Sequence, residues 1–281
     1  MSKITFGVDF GLSVTDVVKA ASGEVLAHAA RHRPGPASPE LLQGMLGEVE
    51  AETTSSGGGV LVGVTGGRSR DLPGSVGGNK VVHVGETDAV ARGGLRLAGV
   101  TRALVVSCGT GTAMVAADSR AGQYAHASGT AVGGGTLEGL AKHLLGVRDA
   151  SAVARLAAQG DSAGVDTTLG EVLGGGIGHL PPAATAVNLG RLAELADPVP
   201  ADLAAGLVTL VGQTIALVAL NAAKVAGMER TVFVGRLAEF EAGTRVIRSV
   251  FDLYGVEHPL FPQGAGMATA FGAALTVAEG A

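Results

Sequence analysis

The sequence predicts an α/β protein of two similar lobes with a cleft between them, and three observations predict it. An apolar strand, a glycine-containing polar turn and a second apolar strand occur twice, as "GVDFGLSVTDVV" near the start and as "VVSCGTGTAMVAA" from residue 105. Each occurrence opens a run of strands followed by a helix, so the organisation repeats more clearly than the residues do. Then "SGTAVGGGTLEGL", residues 128–140, places three glycines before a segment of helical spacing. A helix start of that kind leaves backbone N–H groups bare for an anion such as phosphate.

The elements follow in order. Residues 4–11 form a short apolar strand that ends at "DFG", and 15–20 and 24–30 continue as strands with turns at 11–13 and 22–23. "RPGPASPE" is a loop into a helix, with Ser38 as N-cap and Pro39 at the first helical position. "GVLVGVTGG" is a buried-type strand, and "KVVHVGETDAVARGGLRLAG" reads as strand then helix. "RALVVSCGTGTAMVAAD" is two strands about a tight turn, and "GQYAHASG" is a third that runs into the triple glycine. Beyond residue 149 the chain is mostly helical, with helices expected near 149–159, 184–198 and 201–227. "TVFVG" is a strand, 239–254 a helix, "EHPLF" a strand and "GAGMATAFGAALTVAEG" a last helix of small residues. The division read from this order is a first lobe over 1–90 and a second over 91–281, with the helix at 264–281 a candidate to pack back on the first.

A chain of 281 residues has room for two cores. Aromatic residues make up 3% and tryptophan is absent, so those cores must be built from Ala, Val and Leu. There are 46 glycines, well above the usual share, and a single glycine motif therefore counts for little. The net charge of −5 with no basic block argues against a nucleic-acid partner. The lone cysteine, Cys108, forms no internal disulfide and reads as a small buried residue. His83 and His143 have no partners at metal-ligand spacing, so no zinc site is expected. The first residues lack a signal peptide's basic start and apolar middle. Residues 201–226 approach membrane-spanning length but are broken by Asp202, Gln213, Asn221 and Lys224, and read as a buried helix. A cytoplasmic protein without a membrane partner is the expectation.

The turns carry chemistry. Asp9, at a strand end beside Gly11, Ser13 and Thr15, can hold a hydrated Mg2+, a hard ion that keeps several waters. The N–H and hydroxyl groups of the turn can face phosphate oxygens. Gly109, Thr110, Gly111 and Thr112 offer the same groups in the second turn, and Gly133, Gly134, Gly135 and Thr136 form the third element. Singly, each is an ordinary turn in a glycine-rich protein; three in this order point to a nucleotide held between lobes, where ligands favour binding.

The order of these motifs resembles the actin, heat-shock ATPase and sugar-kinase superfamily. More narrowly, the chain is similar to the fumble-type, or type II, pantothenate kinases. The likeness rests on "GVDFGLSVTDVV", "VTGG", "VGETDAVARG", "SCGTGTAM", "GTAVGGGTLEGL", "AAQGDSAGVDTTLGEVLGG", "PPAATAVNLG", "VFVGRL" and "FPQGAGMATAFGAAL". It implies two actin-like (ribonuclease-H-like) lobes with a nucleotide cleft, and a homodimer. It implies ATP and Mg2+ as cofactors, and phosphorylation of the primary hydroxyl of pantothenate, the first step towards coenzyme A. It also implies that Glu86, in "VGETDA", is the base that takes the hydroxyl's proton, and that Gly235 and Arg236, in "VFVGRL", meet the nucleotide. Asp88 is the competing carboxylate, and an acidic residue favourable to the helix dipole is the alternative role for Glu86.

The chain departs from its relatives in the first turn, where Leu12 and Asp16 replace a second glycine and a lysine. It departs again at His126, where the family carries an arginine seven residues before the triple glycine. His126 is therefore expected to serve catalysis when protonated, with Arg236 and Lys142 as alternative cations and an ordinary surface histidine as the plain alternative. Two other functions stay open: a kinase of another hydroxy acid, and a non-catalytic nucleotide-binding regulator or activator.

Overall fold

The computed structural model describes residues 4–50 and 59–280. Strands β1 (Ile4–Phe10), β2 (Val14–Ala21) and β3 (Glu24–His32) form an antiparallel meander. Helix α1 (Pro39–Glu50) follows, its first turn capped by Ser38 Oγ accepting from the Leu41 N–H at 3.1 Å. Strands β4 (Leu61–Thr65), β5 (Ser75–Val76) and β6 (Asn79–His83) complete a six-stranded sheet of order β3-β2-β1-β4-β6-β5. Helix α2 (Glu86–Ala98) leads to β7 (Arg102–Cys108), β8 (Thr112–Asp118) and β9 (Gln123–Thr130). Helices α3 (Gly134–Leu145) and α4 (Ala150–Ala157) come next, then β10 (Thr167–Thr168), α5 (Leu169–Leu173) and β11 (Thr185–Val187). Helix α6 (Pro200–Val225), β12 (Thr231–Val234), α7 (Glu241–Leu253) and α8 (Ala268–Glu279) end the chain. The second sheet has the order β12-β7-β8-β9, with β12 parallel to β7.

The two larger sheets carry the two largest cores. Phe6, Val8, Phe10, Leu42, Met45 and Val62 sit in the first, between sheet and α1. The second is larger and gathers β7, β8, β12, α6 and α7 around Leu104, Leu207, Ile215, Phe233 and Phe251. Helix α6 is long and apolar enough to cross a membrane by composition, but most of its apolar stretch is buried in this core.

The join between the lobes is made by α2 and α8, which cross at glycine. A Cβ built on Gly93 would lie 1.8 Å from the Ala268 carbonyl oxygen, and one on Gly272 would lie 1.8 Å from that of Ala89. Helix α8 lies equally close on the first sheet, where a Cβ on Gly7 would meet the Ala270 oxygen at 1.9 Å. The small-residue composition is thus a packing requirement: backbone meets backbone, and no side chain fits between.

Two expected elements differ. Residues 184–198 do not form the expected α-helix: β11 is followed only by a single 3-10 turn, Gly190–Ala193. The buried carboxylate of Asp166 accepts from the Leu189 N–H at 2.7 Å, and Leu189 takes the left-handed conformation with φ 58°. That geometry is unfavourable for a leucine in any helix, so the segment pairs β10 with β11 instead. "EHPLF" contributes only a bridge between Leu260 and Val232: Leu260 N–H donates to the Thr231 carbonyl, and Pro262, the next residue whose N–H would face β12, has none to continue the ladder.

Gly93→Ala or Gly272→Ala should lower stability by about 3 kcal/mol or more, the upper end for overpacking. Urea unfolding of either variant with a midpoint equal to the parent's would show that the helix crossing yields without cost.

Candidate active site

The two repeated turns meet. The β1–β2 turn brings Ser13 Oγ within 3.0 Å of Thr110 Oγ1, in the β7–β8 turn of the other lobe. Around this contact lies a cavity of about 590 Å³, walled by Asp9, Gly11, Ser13, Gly109, Thr110, Gly134, Gly135, Gly235 and Arg236 among others. Nine of the residues expected from sequence thus face one space. A more open hollow of about 930 Å³ lies between α6, α7 and residues 179–185, and none of the three turns reaches it.

The floor is acidic. β1 and β2 pair so that Asp9 stands directly opposite Asp16, on the same face of the sheet. Burial, then the neighbouring charges of Asp16 and Glu86, push the Asp9 carboxyl up to about 7 against the opposing pull of Arg236. Glu86, exposed at the first position of α2, is therefore near enough to be felt at Asp9 although it does not wall the cavity. Asp88 turns back towards its own helix start: a Cβ on Gly85 would lie 3.2 Å from its Oδ2. Asp88 is not among the charges felt at Asp9.

Thr65, at the end of β4, pairs with Asp9, and its buried hydroxyl has no hydrogen-bond partner. Gly66 follows with φ 90°, tucked so close that a Cβ would lie 2.6 Å from Asp9 Oδ1. The cradle around this carboxylate leaves room for small groups only. No cluster of three or more His, Cys, Asp or Glu able to hold a metal occurs among the described residues. This donor set suits Mg2+, which binds through one or two carboxylates with water and phosphate completing its shell.

The triple glycine answers a different need from the one expected. The N–H groups of Gly134 and Gly135 are not bare: they donate to the carbonyls of Gly109 and Thr110 at 2.8 and 2.9 Å. Gly133 N–H bonds to Thr136 Oγ1 at 3.3 Å. Side chains would collide with the second turn, since a Cβ on Gly133 would stand 2.7 Å from the Thr110 oxygen and one on Gly135 2.6 Å from Thr110 Cγ2. The glycines let the start of α3 lie flat on the β7–β8 turn and brace it. Gly111, Thr112, Gly133 and Thr136 accordingly stay out of the cavity wall, with the Thr112 hydroxyl donating to the Val132 carbonyl at 2.9 Å.

His126 is exposed on β9, the edge strand of the second sheet, and does not wall the cavity. Lys142 is exposed on α3 and is also outside it. Arg236 is inside, and its Nη2 donates to Asp16 Oδ1 at 2.7 Å. This cross-lobe pair was not legible from sequence, although a hairpin about residues 11–13 already implies that Asp9 and Asp16 face each other. Arg33 and Glu138 form a second cross-lobe pair at 3.3 Å. Cys108 is fully buried and burial pushes its thiol up to about 12, so it is no nucleophile.

Among known proteins, the Fumble family matches residues 98–276 of the chain. A type II pantothenate kinase of Bacillus cereus is 28% identical over 223 residues, covering 77% of this chain and 80% of that one. One of Oceanobacillus iheyensis is 29% identical over 178 residues, covering 61% and 65%. Two solved structures are similar in fold. The activator of the 2-hydroxyisocaproyl-CoA dehydratase from Clostridium difficile, with bound ADPNP, matches with a TM-score of 0.69 at 19% identity, over 99% of this chain and 95% of that one. A ROK family glucokinase from Streptomyces griseus, in complex with glucose and AMPPNP, matches with a TM-score of 0.58 at 18% identity, over 97% and 98%. The fold is that of the actin-like ATPases and sugar kinases.

The Asp9 carboxyl is held above its ordinary 3.8, so between that value and about 7 the folded chain binds a proton that the unfolded chain has released. Stability then falls as pH rises, by at most about 4 kcal/mol over this window. Asp9→Asn should be more stable than the parent at pH 8 without divalent cations, with the advantage fading towards pH 4. Equal melting temperatures at both pH values would refute this.

Proposed function

The chain belongs to the Fumble family, and from that premise we propose that it transfers the γ-phosphoryl group of ATP to the primary hydroxyl of pantothenate. The observation that carries the phosphoryl-transfer part is the 3.0 Å meeting of the Ser13 and Thr110 hydroxyls in the wall of a cavity sized for a nucleotide. The acceptor is taken from the relatives' activity.

In this reading the two turns, with Gly134 and Gly135 behind them, receive the phosphates, and Gly235 and Arg236 close the nucleotide side. Asp9 would hold Mg2+ through water, which neutralises charge on the phosphates and orients the transferring group. Glu86 takes the proton of the acceptor hydroxyl as the new oxygen–phosphorus bond forms and the bond between the γ-phosphorus and the bridging oxygen breaks, releasing ADP. Asp88 has turned its carboxylate back to the helix start and serves as a favourable charge there. With His126 on the open edge strand, the phosphate-facing cation in this proposal is Arg236.

The oligomer belongs to the same proposal. Leu217 and Val225, near the end of α6, are 36% and 90% exposed. A second copy of the chain is the partner proposed to cover them, and light scattering that finds only monomer at micromolar concentration would remove it.

A coupled assay of ADP release with a panel of hydroxy acids should show turnover with pantothenate. Glu86→Gln should lower that turnover by about a hundredfold or more while ATP still binds. Unchanged turnover in the variant would take the base away from Glu86.

A further inference from the structure

Asp16 is set among charges in a way that a structural ion pair does not need. It stands opposite Asp9 on the neighbouring strand, and like charges so placed repel. Its side chain is only 7% exposed, yet one oxygen, Oδ1, serves two partners. Arg236 Nη2 reaches it at 2.7 Å and His28 Nε2 lies at 2.9 Å. The partners come from different lobes. His28 belongs to β3, in the same sheet, and Arg236 follows β12, in the other.

A guanidinium has five N–H donors in a planar fork. Of those on Arg236, only Nη2 has a hydrogen-bond partner among the described residues. Its side chain is 31% exposed, and it faces the same cavity as Ser13 and Thr110. Arg236 thus walls, with donors to spare, a cavity that Asp9 and Asp16 also line. A long side chain left to wander would lose rotamer freedom on meeting a ligand, whereas one already tethered loses less.

We propose that Asp16 is a positioning residue: it draws Arg236 across from the second lobe and holds its unused guanidinium edge over the cavity, where the phosphate groups of the nucleotide are received. The inference rests on the kinase reading for the nucleotide, and not on the identity of the acceptor. Because the pair spans the lobes, the cation is in place only while the cleft is closed. His28 braces the same carboxylate oxygen from within the first sheet and keeps it aimed at the cleft.

The test is calorimetric binding of a non-hydrolysable ATP analogue with Mg2+, which needs no acceptor, together with the melting temperature of each variant. Arg236→Ala should weaken binding by about 100-fold, in keeping with the loss of a charge-assisted contact. Asp16→Asn, nearly the same shape without the charge, should weaken it by about tenfold at a melting temperature close to the parent's. The deciding variant adds Asp16→Asn to Arg236→Ala. If Asp16 acts through Arg236, the double variant binds no more weakly than Arg236→Ala alone. A carboxylate that acts independently of Arg236 costs the same factor in both backgrounds. Parental binding by Asp16→Asn, or a further loss of about tenfold in the folded double variant, overturns the proposal. A parent chain that binds no nucleotide overturns the kinase reading with it, whereas failure of pantothenate alone leaves these outcomes in force.

Discussion

Backbone against backbone is the constraint on which the rest of this structure depends. Helices α2 and α8 cross where carbonyl oxygens face bare Cα atoms, at Gly93 and Gly272. The same device seats α8 on β1 at Gly7 and the start of α3 on the β7–β8 turn at Gly133. Gly235, whose Cβ would stand 2.5 Å from the Cys108 oxygen, sets β12's exit against the end of β7. The contacts at Gly133 and Gly235 fix turns that wall the cleft, and those at Gly7, Gly93 and Gly272 join the elements that carry them. A fold with few aromatics gains little burial per side chain, and it recovers cohesion through close approach and dense packing.

The cleft that results is electrostatically unbalanced. Asp9 and Asp16 share one face, Glu86 adds its charge nearby, and Arg236 is the cation set directly against them. Burying carboxylates together opposes folding, which is a reason to expect the group at Asp9 to serve a ligand rather than the fold. The cross-lobe contacts work in the opposite sense. Ser13 with Thr110, Asp16 with Arg236 and Arg33 with Glu138 all hold the lobes together around the acidic floor. Closure and charge placement are thus carried by the same side chains.

Much of this was legible in the sequence, and the reasons differ by element. The two strand–turn–strand units were visible because apolar periodicity and glycine turns are local signals. Ser38 and Pro39 marked the start of α1 by their own chemistry. The segment 184–198 misled because its apolar spacing is helical while the residue that overrides it, Asp166, lies far upstream. Asp16 was legible as a departure, but its partner is separated from it by 220 residues. No periodicity reports a contact of that range. His126 was singled out by its place in a motif, and a motif does not say that the strand carrying it lies at the sheet's open edge.

The glycine run before α3 shows why one sequence signal can serve two masters. Bare N–H groups at a helix start and close backbone packing both require residues without side chains, so the letters alone do not separate them. Here the N–H groups of Gly134 and Gly135 are spent on the carbonyls of Gly109 and Thr110. What the run contributes to the cavity is therefore rigidity and an open wall, and not a ring of free donors. The polar groups left to meet phosphate are then the hydroxyls of Ser13 and Thr110, the N–H groups of the two turns and the guanidinium groups of Arg33, Arg148 and Arg236 in the wall. Of these Arg33 is paired with Glu138 and Arg236 is the one felt at Asp9, and Arg236 comes from the lobe opposite the acidic floor. Recognition of an anion in this cleft accordingly falls to the element that the second lobe extends across it, which ties ligand binding to the relative position of the two lobes.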